Sequence, residues 1–362
     1  MKAKLAYLCG SASWGGLEMN HLRNAIWMQE RGHDVVVIGV KDSPYAIRAG
    51  EMNLPLVEIK AYRKYYAWSA ARSLSQMLRK QGITHLLIRA THDVSMAASL
   101  KQKYPALHVS YFMEMQIGVN KKGPGHTLRF KKIDVWSCPL PWLKNQVEEK
   151  TNYRNELVVI PSGMEREPLL KPIDSRKARE ALNLPYDELL FGLIGRFDPQ
   201  KGQLLLLEAM KLTENKSFHV LFIGEPTRGE AEGYFDQMQS VIQEHDLSNR
   251  VHIRPFQKDL RQFYAAIDWL VMATGSESIG MVTLEALTNG TPVLGSNAGG
   301  TPEILGENGG ILFETENAVS LSEKLDFIAQ HRPEFTPKSL QKLTESFDHH
   351  SVCEQVERTL NL

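Results

Sequence analysis

Two glutamates stand eight positions apart in the otherwise apolar run Gly275–Leu287, GSESIGMVTLEAL. On an ideal helix, at about 100° per residue, Glu285 points between Met281 and Val282. Leu284, Ala286 and Leu287 cover most of the remaining circumference. An unpaired buried carboxylate costs several kcal/mol, so Glu285 needs a protein donor or the hydroxyls of a ligand. Upstream, LLFGLIGRFDPQKGQ places Arg196 and Lys201 after an apolar strand, on a loop broken by Pro199. A planar guanidinium fork and a mobile ammonium together suit a diphosphate, although a solvated turn is the plainer fate of such a pair. A helix starting near Gly280 would direct unpaired backbone N–H groups of Gly280, Met281, Val282 and Thr283 at the same place. Two carboxylates, two cations and a helix start suit a nucleoside diphosphate sugar: one Glu on sugar hydroxyls, the other on the ribose diol.

In the first half, Gly10, Gly15 and Gly16 separate a first strand from a helix near Leu17. Glycines there let backbone amides approach a phosphate. Neither GxGxxG nor GxxxxGK[ST] occurs, and packing alone also selects such turns. The twelve histidines show no HExxH or other metal spacing, and no DxD occurs. His33, in the turn RGHDV, reads as structural.

These residues need a frame, and the rest of the chain supplies one. Short β-rich runs alternate with helical stretches, which predicts parallel sheets covered by helices. The strands are KLAYLC, DVVVIGV, LVEI, THLLIRA, HVSYFM, DVWSC and LVVIP. The scheme then restarts with LLFGLIG, HVLFIG, VHIRP, DWLVMA, TPVLG and GGILF. Leu17–Arg31 and Ala67–Lys80 carry helical spacing. At 362 residues, two α/β domains are expected. We divide the chain at residues 1–165 and 166–345, with 346–362 as a C-terminal helix packing back on the first domain. The tail reads as helical from about Lys338. Doubly wound sheets bind ligands at the carboxyl ends of their strands, so the two domains should face a central cleft.

The composition, 43% hydrophobic and 23% charged, is that of a globular protein without a membrane-spanning run. Three cysteines without paired spacing fit a reducing, cytoplasmic setting. Net charge is zero, but residues 1–165 hold 23 Lys and Arg against 13 Asp and Glu, and the remainder 19 against 29. The basic half suits an anionic partner or a membrane surface. It equally suits attraction between the halves. Neutral balance and the lack of a recognition motif speak against nucleic acid.

The order GG, GRFDPQKG, FIGE, ESIGMVTLEAL and NGTPVLGSNAGGTPEIL resembles the retaining "group 1" glycosyltransferases. These form family 4 of the carbohydrate-enzyme classification and have a GT-B fold of two Rossmann-like doubly wound domains. The resemblance covers nearly the whole second domain and, more loosely, the first. It implies transfer of a hexose or derivative from a nucleotide-sugar donor to a glycan, lipid-linked or small-molecule acceptor, in cell-envelope glycan biosynthesis. By resemblance Arg196 and Lys201 stabilise the leaving diphosphate without a metal or other cofactor, and Glu277 contacts the donor sugar. Glu285 would take the ribose hydroxyls, and the amides of Ile279, Gly280, Met281 and Val282 the sugar and phosphates. Gly15 and Gly16 would close on the donor from the first domain.

The first domain departs from the family pattern. Where many members carry a His-Asp pair, HVSYFMEMQIG offers Glu114 and Gln116, and the usual IPNGVD appears as IPSGME. Glu18 and Glu114 are the acceptor-side candidates, Glu114 equally readable as an ordinary loop carboxylate. Two basic-aromatic segments, YRKYYAW (Tyr62–Trp68) and KKGPGHTLRFKK (Lys121–Lys132), suit an anionic acceptor or a peripheral membrane contact. Both also read as solvated surfaces. The alternatives to a transferase are a nucleotide-sugar epimerase or hydrolase on this fold, or a sugar-nucleotide-binding partner subunit without turnover.

Overall fold

The computed structural model describes residues 3–65, 68–226 and 233–362. Tyr66 and Ala67, within YRKYYAW and at the start of the helix expected from Ala67, lie outside the described residues. The chain divides into two compact units, Met1–Met164 with Phe347–Leu362, and Glu165–Ser346.

The first unit is built on β1 (Lys4–Cys9), β2 (Asp34–Val40), β3 (Leu56–Ile59), β4 (His85–Ile88), β5 (His108–Phe112), β6 (Val135–Cys138) and β7 (Glu156–Val159). They form one parallel sheet in the order β3-β2-β1-β4-β5-β6-β7. Continuous apolar runs make such strands because both faces are covered. Ala6, Leu8, Val36, Ile38, Leu86 and Ile88 pack in one layer with Ala71, Leu74 and Leu78 of the Trp68–Lys80 helix. Leu5, Tyr7, Val35 and Val37 pack in the other, with Leu22, Ala25 and Met28 of the Gly16–Glu30 helix. The same layer takes Val352, Cys353, Val356 and Leu360 of the His349–Leu360 helix. Each Val, Leu, Ile or Met among them contributes roughly 1.5–3 kcal/mol on full burial.

In the second unit, β8 (Leu189–Ile194), β9 (Phe218–Ile223), β10 (Val251–Arg254), β11 (Trp269–Met272), β12 (Val293–Ser296) and β13 (Gly310–Phe313) follow the same logic. The order is β10-β9-β8-β11-β12-β13, again all parallel. Phe191 and Leu193 lie in a core with Leu206, Leu207 and Met210 of the Gln203–Leu212 helix. All thirteen strands expected from the sequence are present, the first three with the expected ends and the others shifted by a residue or two. Each sheet reverses its direction of growth once, between β1 and β4 and between β8 and β11. Ligands enter doubly wound sheets beside such reversals, at the carboxyl ends of the strands.

The tail, expected to be helical throughout, is interrupted. A Pro337–Lys342 helix and a short turn at Glu345–Phe347 precede the His349–Leu360 helix. Asp348 starts the last helix by accepting the His350 N–H at 3.0 Å. Among the described residues, no helix is long and apolar enough to cross a membrane.

Candidate active site

In the second unit the chain leaves β8 through Gly195 and Arg196 and turns at Pro199–Lys201. Asp198 starts that turn by accepting the Gln200 N–H at 2.9 Å. Gln203 Nε2 donates to the Arg196 carbonyl at 2.8 Å and fixes the loop from behind. Gly202 then adopts φ 76°, and a Cβ there would lie 2.5 Å from the Ala273 carbonyl, so only glycine lets this loop reach the end of β11.

The loop brings Lys201 Nζ to 3.2 Å from Glu277 Oε2. At 31% and 25% side-chain exposure, such a pair adds about 1 kcal/mol or less, so it orients two charges rather than holding the fold. Glu277 is positioned from its backbone: its carbonyl accepts the Gly300 N–H at 2.9 Å. Gly299, at φ 64°, passes so close that a Cβ would sit 2.1 Å from that carbonyl. The GG of SNAGGTPEIL is therefore a seat for Glu277. Arg196 is exposed, with Nε 3.7 Å from Asp198 Oδ2. Arg196, Lys201 and Val282 line one cavity of about 390 Å3 with Gly195, Met272 and Thr274 at the β8–β11 reversal.

The helix after Glu277 runs Met281–Asn289 with Gly280 as its N-cap. Thr283 N–H, expected to be unpaired, donates to the Gly280 carbonyl at 2.9 Å. Met281 and Val282 stand at the two positions before it, where a helix offers its N–H groups no carbonyl of its own. Ile279 is buried, so any contact from it is through backbone. Glu285 is half-buried, and the Tyr264 hydroxyl donates to its Oε2 at 2.6 Å. The protein thus supplies the donor that its position demands. Burial, then the Glu285 charge, raises the Tyr264 pKa and keeps this hydroxyl protonated. Tyr264 was invisible to the sequence reading, because it reaches Glu285 from the neighbouring Arg261–Ala266 helix.

The candidates of the first unit lie in three hydrogen-bonded sets. Gly15 caps the Gly16–Glu30 helix, but its N–H is taken by Glu18 Oε2 at 3.0 Å. The Gly10 N–H goes to Asp93 Oδ1 at 3.1 Å. Two of the three glycine amides expected to approach a phosphate are therefore occupied inside the protein. Glu18, buried, makes the one half of a capping box that a glycine N-cap allows, which gives this acceptor candidate a local role. Glu114 is no ordinary loop carboxylate: it is buried, pairs with Arg89, and accepts from Ser162 Oγ and from Asn20 Nδ2. The Ser162 of IPSGME and the Glu114 of YFMEMQ, one residue from each departure from the family pattern, are thus joined by a hydrogen bond. Arg89, at the end of an apolar strand, was the one sequence signal that a buried acid had to exist.

Asp93 had no such signal. It is fully buried beside the β1–β4 reversal, accepts the Tyr62 hydroxyl at 2.6 Å, and burial pushes its carboxyl up to about 7. Among the described residues, no group of three or more His, Cys, Asp and Glu is arranged to hold a metal ion.

Two doubly wound parallel sheets define the GT-B class, and the solved structures agree. Anabaena HepE, crystallised with UDP, superposes with a TM-score of 0.84 at 19% identity, covering 99% of both chains. Residues 174–346 match the family "Glycosyl transferases group 1". A D-inositol 3-phosphate glycosyltransferase of Nocardia farcinica is 26% identical over 333 residues, 80% of this chain and 71% of that one. One from Mycobacterium bovis is 34% identical over 137 residues, spanning 37% of this chain but only 28% of its own length. The second unit thus carries the group 1 glycosyltransferase match, and the Nocardia relative extends the likeness over most of the chain.

Proposed function

We propose that this protein transfers a hexose or hexose derivative from a nucleotide-diphosphate sugar to a glycan, lipid-linked or small-molecule acceptor, with retention and without a metal. The observation that carries the reading is the Lys201–Glu277 pair, with Arg196, Lys201 and Val282 on one cavity at the β8–β11 reversal. HepE, of the same fold, has been crystallised with UDP and with UDP-glucose, which favours a UDP-sugar as the first donor to try. The Nocardia relative is named for an acceptor that is a phosphorylated polyol.

As the bond from sugar C1 to the phosphate oxygen breaks, positive charge develops on the ring and negative charge on the diphosphate. Lys201 and Arg196 meet the growing negative charge, supported by the N–H groups of Met281 and Val282. Glu277 holds sugar hydroxyls and, through its ion pair, aims Lys201. Glu285 accepts from the ribose diol; a carboxylate takes about four hydrogen bonds, so Tyr264 orients it without exhausting it. In front-face attack the acceptor oxygen bonds to C1 on the side the diphosphate leaves, and its proton passes to a phosphate oxygen. The configuration is kept and no enzyme base is required. Three free, buried cysteines support a cytoplasmic setting.

A melting-temperature screen against UDP, GDP, ADP and their sugars tests the donor site. A ligand at 100 times its Kd adds about 2.7 kcal/mol. The expected result is a shift with one nucleotide class that shrinks in Glu285→Gln. No shift with any nucleotide sugar would overturn the reading.

A further inference from the structure

The two basic-aromatic segments that the donor site leaves unused meet in the first unit. Lys64 and Tyr65 of one, and Lys121, His126 and Arg129 of the other, line a single cavity of about 310 Å3. No carboxylate lines it among the described residues. Its other walls include Tyr111 and Trp136, each 1% exposed. The Tyr111 hydroxyl and the Trp136 Nε1 are both buried without a hydrogen-bond partner. Leaving such a donor unpaired costs about 1–3 kcal/mol.

The cations are set in place by neutral groups. Arg129 donates from Nη1 to Ser95 Oγ at 2.9 Å, from Nε to the Gly125 carbonyl at 2.8 Å, and from Nη2 to His126 Nδ1 at 2.9 Å. Its guanidinium lies 4.7 Å from the centre of the Tyr65 ring. The Lys121 backbone is pinned by its N–H to the Lys150 carbonyl at 2.7 Å, and Lys150 Nζ returns to the Ile117 carbonyl at 2.7 Å. Burial, then the charge of Lys64, lowers the Lys121 pKa; burial, then Arg129 and Lys121, lowers that of His126. Like charges held together with no acid store repulsion that an anion relieves. A fixed guanidinium fork beside mobile ammonium groups fits a phosphate best. Met115 and Val119, 54% and 67% exposed, give the cavity an apolar side for the body that carries it.

We propose that this cavity binds the acceptor through a phosphate group, with Lys64, Lys121 and Arg129 on the phosphate. This rests on the transferase reading for the word acceptor, but phosphate binding stands by itself. The test titrates the protein with hexose and hexose 6-phosphate, and with phosphatidylcholine vesicles with and without phosphatidic acid. Tight binding of the hexose phosphate alone assigns a soluble phosphorylated acceptor, and binding of the phosphatidic acid vesicles alone a lipid phosphate. Either should weaken at least tenfold in Lys121→Glu and in Arg129→Gln, while the nucleotide-induced melting shift stays unchanged. Equal binding of phosphorylated and plain probes, or unchanged affinity in whichever of the two variants folds, would overturn the proposal. Loss of the nucleotide shift in the unmodified protein would instead sink the donor reading and leave this site intact.

Discussion

The carboxyl of Asp93 is fully buried, accepts the Gly10 N–H and the Tyr62 hydroxyl, and is pushed by burial from 3.8 to about 7. The folded state therefore holds this proton more tightly than the unfolded chain does. The stability it contributes is complete below about pH 4 and is lost as pH rises through 7, by about 1.4 kcal/mol per unit at most. Asn keeps an acceptor for both donors but cannot ionise. The stability of the native protein relative to Asp93→Asn should therefore fall between about pH 4 and 7, read from urea midpoints. A difference that stays flat over that range would mean that Asp93 does not titrate there. Nothing in THDVSM announced this behaviour, because it follows from which strand ends surround the residue.

At the scale of elements, sequence was a good guide wherever one physical cause dominates. Runs such as DVVVIGV and LLFGLI leave no polar face, so they can only be strands covered on both sides, and that is where β2 and β8 lie. Glu285 shows the limit: helical geometry required a partner, but its identity, Tyr264, depends on how the Arg261–Ala266 helix packs. The glycines divide in the same way. Gly15 was legible as a helix start, yet the recruitment of its amide by Glu18 was not read from the sequence. Gly299 has a sharper consequence. A methyl there meets the Glu277 carbonyl at 2.1 Å and imposes a backbone strain of about 1–3 kcal/mol at positive φ. Gly299→Ala should displace Glu277 and cut turnover at least tenfold, with a smaller effect on nucleotide-induced stabilisation. Turnover equal to that of the parent would show that Glu277 is not seated by this loop.

For the whole molecule, the family match of the second unit and both sheets were readable from motif order and strand rhythm. The second unit carries the family match and a cavity with two cations; the first carries buried polar networks and a cation-lined cavity of its own. The excess positive charge of residues 1–165 is thus concentrated in part at one place, around Lys64, Lys121 and Arg129. Lys201 is the most direct probe of the central claim, that fixed cations stabilise a departing diphosphate. The measurement is the rate of UDP release from UDP-glucose, or from whichever donor the melting screen selects, by the parent protein and by Lys201→Ala. Loss of one preorganised charge of this kind lowers kcat by about 10²–10³. The account predicts a fall of that size with nucleotide binding weakened far less. Unchanged turnover in Lys201→Ala would contradict it.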